Sequence, residues 1–369
     1  MENSHVTTLE IDLNAIDFNL NFFKSKLNKN TKILLVVKAF GYGSDAQKIA
    51  AYLEPKVNYF AVAYTDEGIA LRNAGIKKPI LVLHPQKSNI SKIIEYQLEP
   101  TMYSIALLKS LIEIVKTEQL KNVPIHLKFN TGLNRLGFNK TAISEIVSIV
   151  KNEENIFVKS IFSHIAASED LNEREFTLQQ INDFKSIADE LIPQLKNTPF
   201  KHMLNTSGII NYAEEAQFEM VRLGIGLYGF GNDKNETSKL KNALTLKSVI
   251  SQIHTIEKGE SLGYNRSYIA EKTTKTATIP IGHADGISRQ FGKGVGFIYV
   301  NNQEAPIVGN VCMDVIMVNI TGIDCNEGDE VLIYRDQQHM ETIAKRANTI
   351  PYELLTAISQ RIKRVLKKC

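Results

Sequence analysis

Between residues 14 and 230 the chain alternates eight times between a short strand-like run and an amphipathic stretch, and this repetition restricts the fold more than any other feature. The strand-like runs fall at 33–38, 58–63, 79–83, 99–103, 123–129, 157–164, 200–205 and 217–222. The segments between them carry helical periodicity, as at 65–74 (Thr65 as N-cap, Gly75 as C-cap), 104–117 and 172–192. Eight strands separated by helices predict a closed parallel (β/α)8 barrel; the count favours it over a doubly wound open sheet. After about residue 240 the pattern changes. Segments 243–256, 274–281, 295–300, 314–319 and 329–334 alternate or are β-rich, and turns such as Asn301-Asn302 and Asn326-Glu327-Gly328-Asp329 separate them. This predicts a mostly β C-terminal domain that ends in helices 340–347 and 351–366, the second with Pro351 near its start. The predicted organisation is a barrel over 14–239, a mostly β domain over 240–369, and a strand within 1–13 that pairs with the latter.

A barrel of this kind places its reactive side chains at the C-terminal ends of its strands. Here those ends read Lys38, Ala63, His84, Tyr103, Lys128 with Asn130-Thr131-Gly132, His164, Asn205-Thr206-Ser207, and Arg222-Leu223-Gly224-Ile225. The first is the most telling. Ile33-Leu34-Leu35-Val36-Val37 is a buried strand that stops on a lysine. Desolvation there disfavours the ammonium form and leaves a neutral amine for carbonyl chemistry, whereas a lysine that snorkels to solvent is the ordinary alternative. The turn Asn205-Thr206-Ser207-Gly208 offers hydroxyls and N–H groups, and Gly224-Ile225-Gly226 offers more N–H groups after the last strand. Loops after strands seven and eight of a barrel often hold phosphate, though Ser/Thr turns also serve as plain helix caps. A lysine amine and a phosphate cradle at one barrel mouth fit a phosphorylated aldehyde, pyridoxal phosphate.

Bulk properties exclude several function classes. A net charge of +3 gives no general attraction to nucleic acid or membrane. Cys312, Cys325 and Cys369 have no metal-ligand spacing and form no disulfide framework. Met1–His5 lack a basic-then-apolar signal pattern and no apolar stretch is long enough to span a bilayer, so the expected setting is cytoplasmic. The basic end, Arg361–Lys368, is expected to be a solvated helix face.

Several segments together resemble the alanine racemases, fold-type III pyridoxal-phosphate enzymes, over nearly the whole chain. Leu9–Leu13 resembles their opening strand and Val36-Val37-Lys38-Ala39-Phe40-Gly41-Tyr42-Gly43 their cofactor-lysine motif, with Phe40-Gly41 where the family has Asn-Ala. His126–Gly137 resembles their Asp-Thr-Gly motif, with Asn130 for the aspartate; Val221–Gly229 resembles the segment that follows the last strand, with Leu223 for a proline. Gly263-Tyr264, Val311-Cys312-Met313-Asp314 and Pro351-Tyr352-Glu353 complete the set.

The resemblance implies a homodimer with shared sites that racemises a small amino acid, alanine, and supplies D-alanine for peptidoglycan. It implies that Lys38 holds the cofactor and acts as one base, while Tyr264 from the partner subunit acts on the opposite face. Racemisation itself needs a base on each face unless one base swings across. Arg222 would contact the pyridine nitrogen; Tyr42, Thr206 or Ser207, Gly224, Ile225 and Tyr352 would bind the phosphate; His164 and Asn205 join the cofactor-binding set. Arg135 would face the cofactor's phenolic oxygen and the substrate carboxylate, to which Met313 of the partner subunit would offer its backbone N–H. Lys128 matches a lysine that is carbamylated in some members, Cys312 is expected to be a small buried thiol beside the site, and Asp314 is expected to support the tyrosine loop. His283 replaces a usual tyrosine and Asn310 a common arginine, while Arg289 keeps its counterpart, which implies an access corridor altered in size and charge. A racemase of broader specificity is the alternative enzyme. A non-catalytic pyridoxal-phosphate carrier is opposed by residues 240–369, and a decarboxylase by Arg222.

Overall fold

The first strand among the described residues leaves the barrel alone and joins the C-terminal sheet. In this computed structural model, which describes residues 6–368, that strand is β1 (Thr8–Asp12). Met1–His5 and Cys369 lie outside the described residues. Eight parallel strands follow: β2 (Lys32–Val36), β3 (Tyr59–Val62), β4 (Ile80–Val82), β5 (Glu99–Met102), β6 (Val123–Lys128), β7 (Ile156–Phe162), β8 (Phe200–His202) and β9 (Met220–Leu223). They close into a barrel in sequence order, with β2 paired to both β3 and β9. The expected fold class is the one observed.

Helices between the strands begin where side chains satisfy their first N–H groups. Ser104 caps Ile105–Thr117 and Asn205 caps Thr206–Ala216. At Thr65–Asn73 the threonine does not cap. The Glu67 carboxylate accepts from the N–H groups of Ala63 and Tyr64 at 2.7 and 3.1 Å and takes that role.

The C-terminal part contributes β10 (Leu244–Val249), β11 (Gln252–Ile256), β12 (Ser261–Leu262), β13 (Tyr268–Ile269), β14 (Thr274–Ile279), β15 (Phe297–Val300), β16 (Gln303–Val308), β17 (Ile316–Asn319), β18 (Glu330–Tyr334) and β19 (Lys363–Lys367). With β1 they build a sheet in the order β11-β14-β17-β16-β15-β18-β10-β1-β19, while β12 and β13 form a separate hairpin. β1 lies antiparallel to β10 and parallel to β19. The turn Asn301-Asn302, both residues at positive φ, opens a hairpin into β16, a strand not anticipated from the sequence.

One expectation fails at the C-terminus. The helix begun at Pro351 ends at Ala357, and the basic run beyond it is β19, not a helix face. The edge of β1 takes a partner there, and the charges are absorbed locally. Lys367 and Lys247 flank Glu10, and the buried Arg364 guanidinium donates to the carbonyls of Gly43, Ser359, Ile362 and Ile358. Among the described residues no helix is long and apolar enough to cross a membrane.

Candidate active site

Seven of the eight barrel strands deliver side chains to a cavity of about 530 Å³ at their C-terminal ends. Lys38, Tyr42, Lys128, Arg135, His164, Asn205, Thr206, Arg222, Gly224, Ile225 and Tyr352 all line it. The exception is the end of β5, where Tyr103 stays outside, packs on His84 and donates to the Pro85 carbonyl at 2.8 Å.

Lys38 follows β2 after a single residue, Val37, and Ala39, Phe40, Gly41, Tyr42 and Gly43 then all adopt positive φ. Five consecutive left-handed residues, three of them not glycine, are strained and need support from their surroundings. The Ala39 N–H donates to Glu67 at 2.6 Å, and the N–H groups of Gly43 and Asp45 return to the carbonyls of Ala39 and Phe40. The turn sends Tyr42 back into the cavity. Burial, with Arg135 nearby, lowers the pKa of Lys38, and Glu67 opposes the shift only in part.

The lining holds four cations, Lys38, Lys128, Arg135 and Arg222, and no aspartate or glutamate. Arg222 is 4% exposed, and its hydrogen bonds among the described residues go to histidine nitrogens and backbone carbonyls. It donates to Nδ1 of His202 at 2.7 Å, to Nδ1 of His164 at 2.9 Å, and to the carbonyls of Ser163 and Met203 at 2.7 Å each. A guanidinium only donates, so both Nδ1 atoms are bare and both rings carry hydrogen on Nε2. Burial and the Arg222 charge hold both histidines well below the ordinary imidazole range. Lys128 lies 6.0 Å from the Phe162 ring centroid, and burial together with Arg222, Arg135 and Lys38 lowers it to about 8. Asn130 does not reach it. Its side chain bonds Gly132 N–H, Asn134 N–H and the Asn134 amide, and so shapes the loop.

The opposite wall is built on the first turn of helix Thr206–Ala216. The Asn205 side-chain oxygen Oδ1 caps Gly208 N–H at 2.8 Å. Thr206 Oγ1 sits 3.4 Å from the N–H groups of both Gly224 and Gly226. A Cβ on Gly224 would lie 2.5 Å from the Tyr42 hydroxyl, so backbone and phenol approach as only glycine allows. Tyr352 donates to Asn232 at 2.8 Å across the same wall. Ser207 is not brought to the cavity. It is fully buried, donates to Glu236 at 2.7 Å and accepts from Asn232 at 2.5 Å.

The C-terminal residues singled out from sequence gather elsewhere, on one loop face of the β domain. The His283 and Ala284 N–H groups donate to the carbonyls of Cys312 and Met313 at 2.9 and 3.0 Å, an approach that a side chain at Gly282 would block. Asn310 donates to the Tyr264 carbonyl at 3.3 Å, and Arg361 bridges Asp285 and Asp314 at 2.6 Å each. Tyr264 is 75% exposed and Met313 59%. Neither lines the cavity of its own chain. Cys312 is half-buried on that face, and its carbonyl accepts from the His283 N–H.

Phe162 and Asn232 line the cavity without having been anticipated. Phe162 stands two residues before His164 on β7, so strand periodicity could have found it. Asn232 arrives on a loop beyond β9 and leaves no periodic signal.

Two family profiles match the chain: alanine racemase, N-terminal domain, over residues 11–231, and alanine racemase, C-terminal domain, over residues 243–366. The chain is 34% identical over 369 residues to the alanine racemase of Treponema denticola, covering 96% of each protein. It is 33% identical over 370 residues to alanine racemase 1 of Caldanaerobacter subterraneus subsp. tengcongensis, covering 97% of this chain and 94% of that one. The solved alanine racemase of Clostridium difficile superposes with a TM-score of 0.93 at 34% identity, over 100% of this chain and 97% of that one. The Bacillus anthracis alanine racemase with bound L-Ala-P superposes with a TM-score of 0.91 at 27% identity, over 100% and 96%.

Proposed function

The chain belongs to the alanine racemase family, and from that premise we propose that it interconverts L- and D-alanine with pyridoxal phosphate and two bases. The observation that carries the reading is the charge of the barrel mouth, four cations around one cavity with no carboxylate in its lining. Such a field suits a ligand that brings a phosphate and a carboxylate. The cradle fits the phosphate: a helix N-terminus, the Thr206 hydroxyl, the Gly224 and Ile225 N–H groups, and the phenols of Tyr42 and Tyr352.

Pyridoxal phosphate supplies an aldehyde for an amine and a conjugated ring that withdraws electrons from the substrate Cα. Lys38, with its lowered pKa, is the amine of this chain that would hold it. Arg222 would face the ring nitrogen. A guanidinium donates only, so Arg222 would oppose a proton on that nitrogen and would keep electron withdrawal mild. Return of the proton to Cα is then favoured over its loss elsewhere, which suits racemisation and not transamination. Arg135 would take the substrate carboxylate.

Racemisation exchanges a proton on both faces of Cα. Lys38 serves one face. For the other, Tyr264 from a partner subunit is the candidate, with Met313 beside it. Both are exposed on a face remote from their own cavity, and a homodimer that lays this face over the other barrel mouth would bring them in. His164, with hydrogen on Nε2, and Arg222 would stabilise the phenolate. D-alanine made this way would serve peptidoglycan. His283 and Asn310 lie on the same face as Tyr264 and motivate a broader substrate range as the second reading.

Chiral chromatography of L-alanine, L-serine, L-lysine and L-arginine after incubation with the purified protein and pyridoxal phosphate separates the two. Borohydride reduction followed by peptide mapping should place the pyridoxyl group on Lys38. Absence of D-alanine from a protein so loaded would sink the assignment.

A further inference from the structure

The interior of a closed barrel is normally filled by branched apolar side chains. Here five neighbouring strands and β3 contribute a continuous buried polar chain instead. Arg222 on β9 donates to Nδ1 of His202 on β8 at 2.7 Å. Nε2 of His202 lies 2.9 Å from Ser160 Oγ on β7, which lies 2.6 Å from Nδ1 of His126 on β6. Nε2 of His126 lies 2.7 Å from a carboxylate oxygen of Glu99 on β5, and the Tyr59 hydroxyl of β3 donates to the same oxygen at 2.5 Å. His126, Ser160 and His202 are 0% exposed.

The two ends of this chain impose one direction. The guanidinium has only donors, so His202 must accept at Nδ1 and, being neutral, donate from Nε2 to Ser160. Ser160 then turns its own hydrogen to Nδ1 of His126. His126 carries hydrogen on Nε2 and donates to Glu99, a carboxylate that accepts only. The Tyr59 hydroxyl donates to the same Glu99 oxygen that meets His126, in keeping with an acceptor-only end. A doubly protonated His126 would leave the Ser160 hydrogen without an acceptor in this chain. A second acceptor-only group in place of Arg222, or a donor in place of Glu99, would reverse one link and break the series.

We propose that Glu99, His126 and Ser160 are positioning residues that act through His202: they give its Nε2–H a buried acceptor and so hold the ring where its Nδ1 lone pair locks the Arg222 guanidinium at the barrel mouth. The functional weight of this rests on the reading of Arg222 as the group that faces the cofactor nitrogen. The tautomer is measurable without cofactor.

Long-range ¹H–¹⁵N spectra of the ¹⁵N-histidine-labelled full chain, before pyridoxal phosphate is added, should show both rings neutral with hydrogen on Nε2. Signals are assigned by their loss in the His126→Gln and His202→Gln proteins. Hydrogen on Nδ1 of His202, or a doubly protonated His126 at neutral pH, overturns the proposal whatever the variants do. In Ser160→Ala the His202 Nε2–H loses its acceptor, so its proton resonance should move upfield and exchange faster with solvent. Turnover of the loaded enzyme should fall about tenfold, the size of one net hydrogen bond, with KM for alanine changed less than about twofold. Ser160→Thr, which keeps the hydroxyl, should restore both. A Ser160→Ala protein whose His202 spectrum is unchanged would reduce the serine to packing and end the proposal. If the unmodified protein shows the tautomer but no racemisation, the fault lies with the assigned reaction and not with the lock.

Discussion

Replacing Lys128 by methionine should stabilise the cofactor-free protein at neutral pH, and the gain should vanish in alkali. Lys128 is 8% exposed and shares its cavity with Arg222, Arg135 and Lys38. Burial, then those three cations, bring its ammonium from an ordinary value of 10.5 to about 8. Between about pH 8 and 10.5 the unfolded chain therefore holds a proton that the folded chain has released, and stability rises with pH across that window. Below pH 8 the folded protein carries the full penalty, about 3 kcal/mol for the gap between the two values. Methionine is unbranched and one atom shorter, carries no charge and forfeits mainly the contact with Phe162, about 0.5–1 kcal/mol. The net gain is about 2 kcal/mol at pH 7 and close to nothing above pH ~10.5. Urea unfolding of both proteins between pH 6.5 and 10.5 measures it. Buffers must be free of bicarbonate, since a carbamate on Lys128 would remove the same positive charge. A difference that stays constant across the range, or a loss of stability at pH 7, would refute the reasoning that four uncompensated cations strain this cavity.

The other expectations can be checked by direct assay. Tyr264→Phe should keep the cofactor absorbance of the parent and lose about 10²–10⁴-fold in racemisation in at least one direction; normal turnover of both enantiomers would dismiss the two-base scheme. Lys38→Ala and Tyr264→Phe proteins, each inactive alone, should regain activity when mixed and allowed to exchange subunits, because the mixed dimer holds one site with both bases; no recovery would place both bases in one chain. Thr206→Val should weaken cofactor binding about tenfold in an absorbance titration while Ser207→Ala changes it little, and the reverse order would move the phosphate contact to Ser207. Arg364→Met strands four carbonyls and should cost about 3 kcal/mol in denaturant unfolding, against which a shift under ~0.5 kcal/mol would count.

What could be read in the sequence was whatever local pattern decides. Buried parallel strands are short apolar runs, so β2 to β9 appear in the chain as eight such runs, and the polar residues at their ends appear with them. The turn residues Asn301-Asn302 were legible, but β16 behind them was not, because Gln303-Glu304 read as loop until pairing with β15 assigns them to a strand. The basic terminus failed for the opposite reason. Its helical spacing is a weak prior, and the open edge of β1 offers a row of backbone partners that no propensity competes with. Ser207 and Thr206 are chemically near-equivalent in sequence; which one faces the cavity depends on Glu236 and Asn232, which lie 29 and 25 residues on and claim Ser207.

The polar chain from Arg222 to Tyr59 was invisible for a related reason, and its invisibility bears on its purpose. Each member occupies a strand position where an apolar residue would pack at least as well, and a buried ionic or polar network is often less stable than an apolar filling of the same volume. Glu99, His126 and His202 read singly as satisfied core residues. Only the register of β5 through β9 makes them consecutive, and only the fixed donor and acceptor characters of Arg222 and Glu99 give the series a direction. A network kept for stability has no need of a direction, since any closed set of partners would serve. One that must present a lone pair at a particular atom does need it, and the atom here is the one that meets the guanidinium at the mouth of the barrel. The arrangement of protons along the barrel interior is therefore better explained by the position of Arg222 than by the packing of the core.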